Sequence, residues 1–255
     1  MVPSSALLTT QFIGSLVLGL IVGSFLSMLI PRLHEEKSGI VSGRSECPNC
    51  GHTLSALELI PLLSYIFLRG RCLSCKKPIS SWYPLTELGT ALLFGALFFH
   101  QLDWGNFLLL SPSFAILSFI FFYDLRYKEI HDAVMLPGIV WAFLISWNLG
   151  TLGTGLIGAS IGLVFFGLQY FLSKGRWIGS GDLRIGAFMG LLLGWELTLV
   201  GLFLSYLVGS LCAIILLTTG NASGKTALPL GPFLVLGTLL SFFWGEHLLQ
   251  FYLSL

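Results

Sequence analysis

Two aspartates and four cysteines carry most of the chemistry this sequence offers. Asp182 stands in "WIGSGDLR", behind Gly179 and Gly181 and directly before the apolar run "IGAFMGLLLG". Asp124 ends another apolar run, in "FFYDLRYKEIHDAVMLPG". A carboxylate is costly beside hydrocarbon, so an acid at a membrane boundary is by default a functional candidate. The plain alternative for Asp182 is a capping role at the start of a helix. Gly179 and Gly181 allow unusual backbone angles and clear space for another backbone, here that of a substrate. Gly186, Gly190 and Gly194 follow at four-residue steps and share one helix face. Such a stripe lets a neighbour pack tightly, and it is also a candidate bed for a substrate helix. Asp132, at the start of the next apolar run, suits a helix N-terminus. Asp124 does not have that explanation, because the dipole at a helix C-terminus disfavours its charge. Two carboxylates brought close cannot both ionise easily; one stays protonated while the other is a base. Such a pair activates water against an amide without a metal or a covalent intermediate.

Cys47 and Cys50 lie in "CPNCGHT", and Cys72 and Cys75 in "GRCLSCKKPIS". Two Cys-x-x-Cys knuckles can place four thiolates around one tetrahedral zinc, with no position left open for catalysis. The stretch between them, 51–71, slightly exceeds the usual spacing of about 15–20 residues. A redox-active pair and metal-free reduced cysteines are the competing readings, and paired knuckles favour zinc over both. His52 reads as an ordinary loop histidine and Cys212 as a small hydrophobe in an apolar helix.

These residues need a scaffold, and composition says which kind. The chain has 255 residues, 55% hydrophobic and only 10% charged. Soluble domains carry about 25% charged residues, so this is an all-α polytopic membrane protein. It shows no dinucleotide fingerprint, no P-loop, no HExxH and no basic face for nucleic acid. Apolar segments near 11–30, 83–101, 107–123, 133–149, 153–172, 183–195, 197–217 and 229–252 predict about eight transmembrane helices. The first lacks a basic n-region and a cleavage site and reads as a retained helix. The organisation is therefore a first helix over 1–30, a small zinc-knuckle-like loop domain over 31–82, and a membrane-embedded domain over 83–255.

All thirteen Lys and Arg residues fall in alternate connections, among them Lys37, Arg71, Arg126, Lys174 and Lys225. The opposite connections hold Asp103, Glu196 and Glu246. The basic side is expected to face the cytoplasm, with both termini outside. Asp124 and Asp182 then lie on that same cytoplasmic side.

With these residues in place, the sequence resembles a known family. "SGDLR" with its preceding glycine is similar to the GxGD signature of membrane aspartyl proteases. "YDLRYKEIHDAVMLP" resembles the first aspartate block of the type IV prepilin peptidases. "GSFLSMLIPRL", the block from "CPNCGHT" to "WYPLTELGT", and "LPLGPFLVLG" resemble further blocks in the same order. The resemblance implies an inner-membrane enzyme of bacteria. It would cut the basic leader from type IV prepilins or type II secretion pseudopilins at the cytoplasmic face. It would then methylate the new N-terminal amine with S-adenosylmethionine. Asp124 and Asp182 would be the catalytic pair, and Cys47, Cys50, Cys72 and Cys75 the tetracysteine loop. Two positions depart from the family pattern: Arg126 replaces a frequent second acid, and His131 replaces a proline. Glu87, in "YPLTELGT", reads equally as a helix cap or an ion-pair partner of the loop. A presenilin-type protease and a proton or cation transporter using both acids as relays are the rivals.

Overall fold

The computed structural model describes residues 5–35, 43–220 and 228–254; Lys37 and Lys225, two of the basic residues used to orient the chain, lie outside them. Every apolar segment expected to be a helix is one. The helices are α1 (Ser5–His34), a short α2 (Leu63–Phe67), α3 (Trp82–Gln101), α4 (Trp104–Tyr127), α5 (Asp132–Asn148), α6 (Leu152–Ser173), α7 (Ser180–Leu193), α8 (Trp195–Thr218) and α9 (Gly231–Leu253). Among the described residues there is no strand, only the isolated bridges Glu46–Thr53 and Arg71–Pro78.

Five helices, α1, α4, α6, α8 and α9, are long and apolar enough to cross a membrane. The chain is thus a multi-pass membrane protein. Of the others, α3 has 20 residues, α5 has 17 and α7 has 14. Two helices run past the apolar segments expected for them, 11–30 and 107–123. α1 runs through Pro31 to His34. α4 continues to Tyr127, so Asp124 lies within its last turn. Proline is tolerated in membrane helices, where neighbouring groups satisfy the freed carbonyl. Gly194, at φ 77°, makes the tight reversal between α7 and α8.

The chain divides into two compact units, 1–119 and 120–255. In the first, α1 packs along α3 through Gly19 and Gly23. A Cβ at Gly19 would stand 2.7 Å from the Ala91 Cα, and one at Gly23 equally near the Glu87 Cα. Small residues four apart permit this backbone approach in lipid, where helix association depends on packing. A buried hydrogen bond, 2.6 Å, joins the Thr90 and Ser118 hydroxyls.

The second unit is organised around α7, which is buried along most of its length. Its glycine stripe faces α6. A Cβ at Gly186 would meet the Phe166 ring at 2.7 Å, and one at Gly190 would collide with Gly158 and Ala159. The stripe is therefore filled by the protein itself, which corrects its reading as a bed for a substrate helix. α8 and α9 pair beside it through Gly201 and Gly237, where Ser205 crosses the interface.

Candidate active site

Asp124 is buried near the C-terminus of α4. Its Oδ2 accepts a hydrogen bond, 2.8 Å, from the backbone N–H of Gly231. Gly231 is the first residue of α9 and Pro232 follows it. A helix N-terminus is an electropositive end with unpaired N–H groups. It offsets the unfavourable dipole at the end of α4, which answers why an acid is tolerated there. A side chain at residue 231 would displace the carboxyl, since its Cβ would lie 2.6 Å from Oδ2. "LPLGPF" entered the sequence reading only through family likeness; its Gly-Pro pair at a helix start was the missed signal.

Asp182 is also buried, in the first turn of α7. Its Oδ2 accepts from the backbone N–H of Gly179 at 2.9 Å. This is the reach-back half of a capping box, so the expected capping role is present. It occupies one oxygen only. The charges of Asp182 and Asp124 lie close enough to act on each other. Both acids belong to the second unit, one in the last turn of α4 and the other in the first turn of α7.

The connections are tied together by two contacts. Arg184 of α7 donates to Asp132 of α5 at 2.9 Å. Asp132 is thus both an acid in a first helical turn and an ion-pair partner. Ile130 packs on Gly181, where a Cβ would lie 2.6 Å from the isoleucine side chain. The space expected beside Gly181 for a substrate backbone is taken by Ile130, and Gly181 is a packing glycine. At Gly179 the nearest group to a Cβ is the Asp182 carboxyl at 3.7 Å, so that side is open. His131 caps α5: its Nδ1 accepts from the Ala133 N–H at 3.2 Å. Arg126 lies over the Tyr127 ring, 5.2 Å from its centre. A further polar pair escaped the sequence reading. Tyr206 donates to Gln169 at 2.9 Å between α8 and α6, within electrostatic reach of Asp182. Two polar side chains inside otherwise apolar spans were the available signal.

The cysteines form a separate cluster in the first unit. All four Sγ atoms lie within 4.8 Å of one another. Cys47 pairs with Cys75 at 3.9 Å and Cys50 with Cys72 at 4.0 Å. A tetrahedron with metal–sulfur bonds of about 2.3 Å has edges of about 3.8 Å, so the set fits one metal ion. The two knuckles repeat each other. Cys47 N–H donates to His52 O and Cys72 N–H to Lys77 O, both at 2.9 Å. The residue after the second cysteine takes positive φ in each, Gly51 at 69° and Lys76 at 59°. Backbone N–H groups of Asn49 and Cys50 aim at the Cys47 sulfur and lower its pKa to about 7. His52 is not a ligand; it meets Glu58 at 3.2 Å. The Ser55 backbone N–H and hydroxyl, with His52, hold the Glu58 carboxyl below its usual range. Cys212, partly exposed on α8 in the second unit, is not one of the four.

The fold and these two sites define a helical membrane protein with a buried carboxylate pair and a four-thiolate zinc-knuckle-like loop. Residues 17–101 match the bacterial peptidase A24 N-terminal domain, and residues 109–214 the type IV leader peptidase family. A prepilin leader peptidase/N-methyltransferase of Pseudomonas aeruginosa is 32% identical, over 94% of this chain and 92% of that one. Those of Bacillus subtilis and Aeromonas hydrophila are 33% and 34% identical, over 94% and 92% of this chain and 96% and 91% of theirs. No solved structure matches. The chain belongs to the prepilin leader peptidase/N-methyltransferase family.

Proposed function

We propose that this protein is an aspartic endopeptidase of the bacterial inner membrane that removes the basic leader from type IV prepilins or type II secretion pseudopilins. It then methylates the amine it has exposed. The observation that carries the peptidase reading is that Asp124 and Asp182 lie within electrostatic reach of one another, each oriented through Oδ2 by a backbone N–H. No hydrogen bond from the described residues holds the Oδ1 atoms, which are left to work on water and peptide. The ionised carboxyl takes a proton from water as its oxygen attacks the scissile carbonyl carbon. The protonated carboxyl gives its proton to the carbonyl oxygen. Collapse of the resulting diol breaks the C–N bond: the departing amine takes the proton that the first carboxyl drew from water, and the second carboxyl takes a proton back from a diol hydroxyl, which restores the pair. Oxyanion charge is thereby neutralised by proton transfer, and no covalent intermediate forms.

The location of the basic residues in the connections supports a cytoplasmic active site and external termini. A leader rich in Lys and Arg stays on that side for the same reason. S-adenosylmethionine supplies the methyl group as co-substrate, and no residue is assigned to it. Zinc is the metal that best suits four thiolates in a closed tetrahedral set, with a structural role.

The test is mass spectrometry of a candidate pilin N-terminus after incubation with the protein in membranes. The expected result is a shortened, methylated N-terminus. Asp124→Asn and Asp182→Asn should each abolish shortening while the protein still inserts; substantial cleavage by either variant refutes the dyad.

A further inference from the structure

We infer that the segment between the two cysteine knuckles, 57–67, is an interfacial membrane anchor that beds its apolar side chains among lipid chains and its flanking cations among anionic headgroups. Three independent features support this.

The first is exposure. The 3-10 turn Ala56–Leu59 and helix α2 bury none of their residues. Leu57, Ile66 and Phe67 are 76%, 66% and 81% exposed, and Leu59, Ile60 and Leu63 are exposed beside them. Single exposed apolar residues need no explanation, but a contiguous cluster marks an interaction surface.

The second is depth. Glu87 is buried in α3, and its Oε2 accepts from the Leu62 backbone N–H at 2.8 Å. The Ser24 side chain of α1 bonds the same carboxyl. Leu62 adopts positive φ, 57°, between the 3-10 turn and α2. The middle of the apolar segment is thus fastened to the α1–α3 pair. α3 opens on Trp82 and Tyr83. Aromatic residues of this kind sit at headgroup level. Glu87 is five residues further on, about 7.5 Å along the helix axis at 1.5 Å per residue, where α3 packs on Gly23 of the membrane-crossing α1. Interfacial segments bury their apolar face about 5–10 Å into the headgroup–acyl boundary. The fastening therefore holds Leu62 and its neighbours at the depth an interfacial segment occupies.

The third is charge. From 43 to 81 the chain carries Arg44, Arg69, Arg71, Lys76 and Lys77 against Glu46 and Glu58 alone. Arg69, Arg71, Lys76 and Lys77 are all exposed, and the first two directly follow α2. Basic residues beside an apolar face complement an anionic leaflet. The occupant indicated is thus the bilayer, rather than the apolar helix of a pilin. A pilin helix would account for the apolar face and leave the cations unused.

The experiment places p-benzoylphenylalanine at Phe67, Ile66 or Ser74 in the full chain. Each variant is reconstituted in vesicles of phosphatidylethanolamine and phosphatidylglycerol, irradiated with and without a prepilin, and its adducts are identified by mass spectrometry. Ser74 is exposed in the second knuckle and serves as the aqueous control. Phospholipid adducts are expected at positions 66 and 67 and not at 74, unchanged by the prepilin. Arg69→Glu with Arg71→Glu should shift the position-67 adducts away from phosphatidylglycerol. Prepilin adducts replacing lipid at 67, or equal lipid labelling at 67 and 74, would overturn the inference. Leader removal by the same samples shows that the reconstituted protein is folded.

Discussion

Gly231 orients a carboxyl without belonging to the reacting pair. Gly231→Ala should lower kcat about 10- to 100-fold, about 1.4–2.7 kcal/mol in the barrier, with little change in KM. The reason is the 2.6 Å approach of a Cβ to the Asp124 carboxyl. A large rise in KM with normal kcat would instead place Gly231 in substrate binding. Asp132→Asn makes the opposite kind of statement. Its partner Arg184 and Asp132 itself are a third and a half exposed. Ion pairs of that exposure contribute about 0–1 kcal/mol. Thermal unfolding in detergent should therefore shift little, and cleavage should persist. A variant as dead as Asp124→Asn would show that Asp132 does more than tie α5 to α7.

Among the elements, α7 is the one that tolerates least. Its contact with α6 leaves no room for a Cβ, which would meet the Phe166 ring at Gly186 and the Gly158–Ala159 backbone at Gly190. Gly190→Leu should prevent a stable folded protein, read as loss of the monodisperse peak in size-exclusion chromatography. Gly167→Ala on α6 is the matched control, because a Cβ there meets nothing within 4 Å. A helix-interior glycine with room for a methyl group gains about 0.5–1 kcal/mol on conversion to alanine. The control should thus fold as well as the parent or better. The stripe was legible in the sequence as one helix face. Which chain would fill it was not, because helical spacing shows what shares a face and not what opposes it. The same gap explains Gly181, whose space Ile130 fills.

At the scale of the whole molecule, the metal site and the carboxylate site belong to different compact units. Metal removal should therefore act on the loop and spare the helices. For the proposed zinc site, chelation, or Cys50→Ser with Cys72→Ser, should remove one metal ion per chain by elemental analysis while far-UV helical signal stays nearly constant. A collapse of helicity on chelation would mean that the metal holds the membrane helices. Acid should release the metal too, since protons compete for thiolates. It also loosens the Glu58 turn. The Glu58 carboxyl is held below its usual range, so its stabilisation is present above the unfolded value of about 4.3 and lost as pH falls through the folded one.

The sequence by itself determined the membrane class, the helical segments, the two knuckles and the two candidate acids. Each rests on local chemistry: apolar run length, thiol spacing, or an acid out of place beside hydrocarbon. Only the tertiary structure decided that Gly231, far along the chain, steadies Asp124. It likewise decided that Glu87 fastens Leu62 and that α6 covers the glycine stripe. Those are contacts between distant segments made through backbone atoms. Every residue carries the same backbone groups, so residue type does not mark where such contacts form.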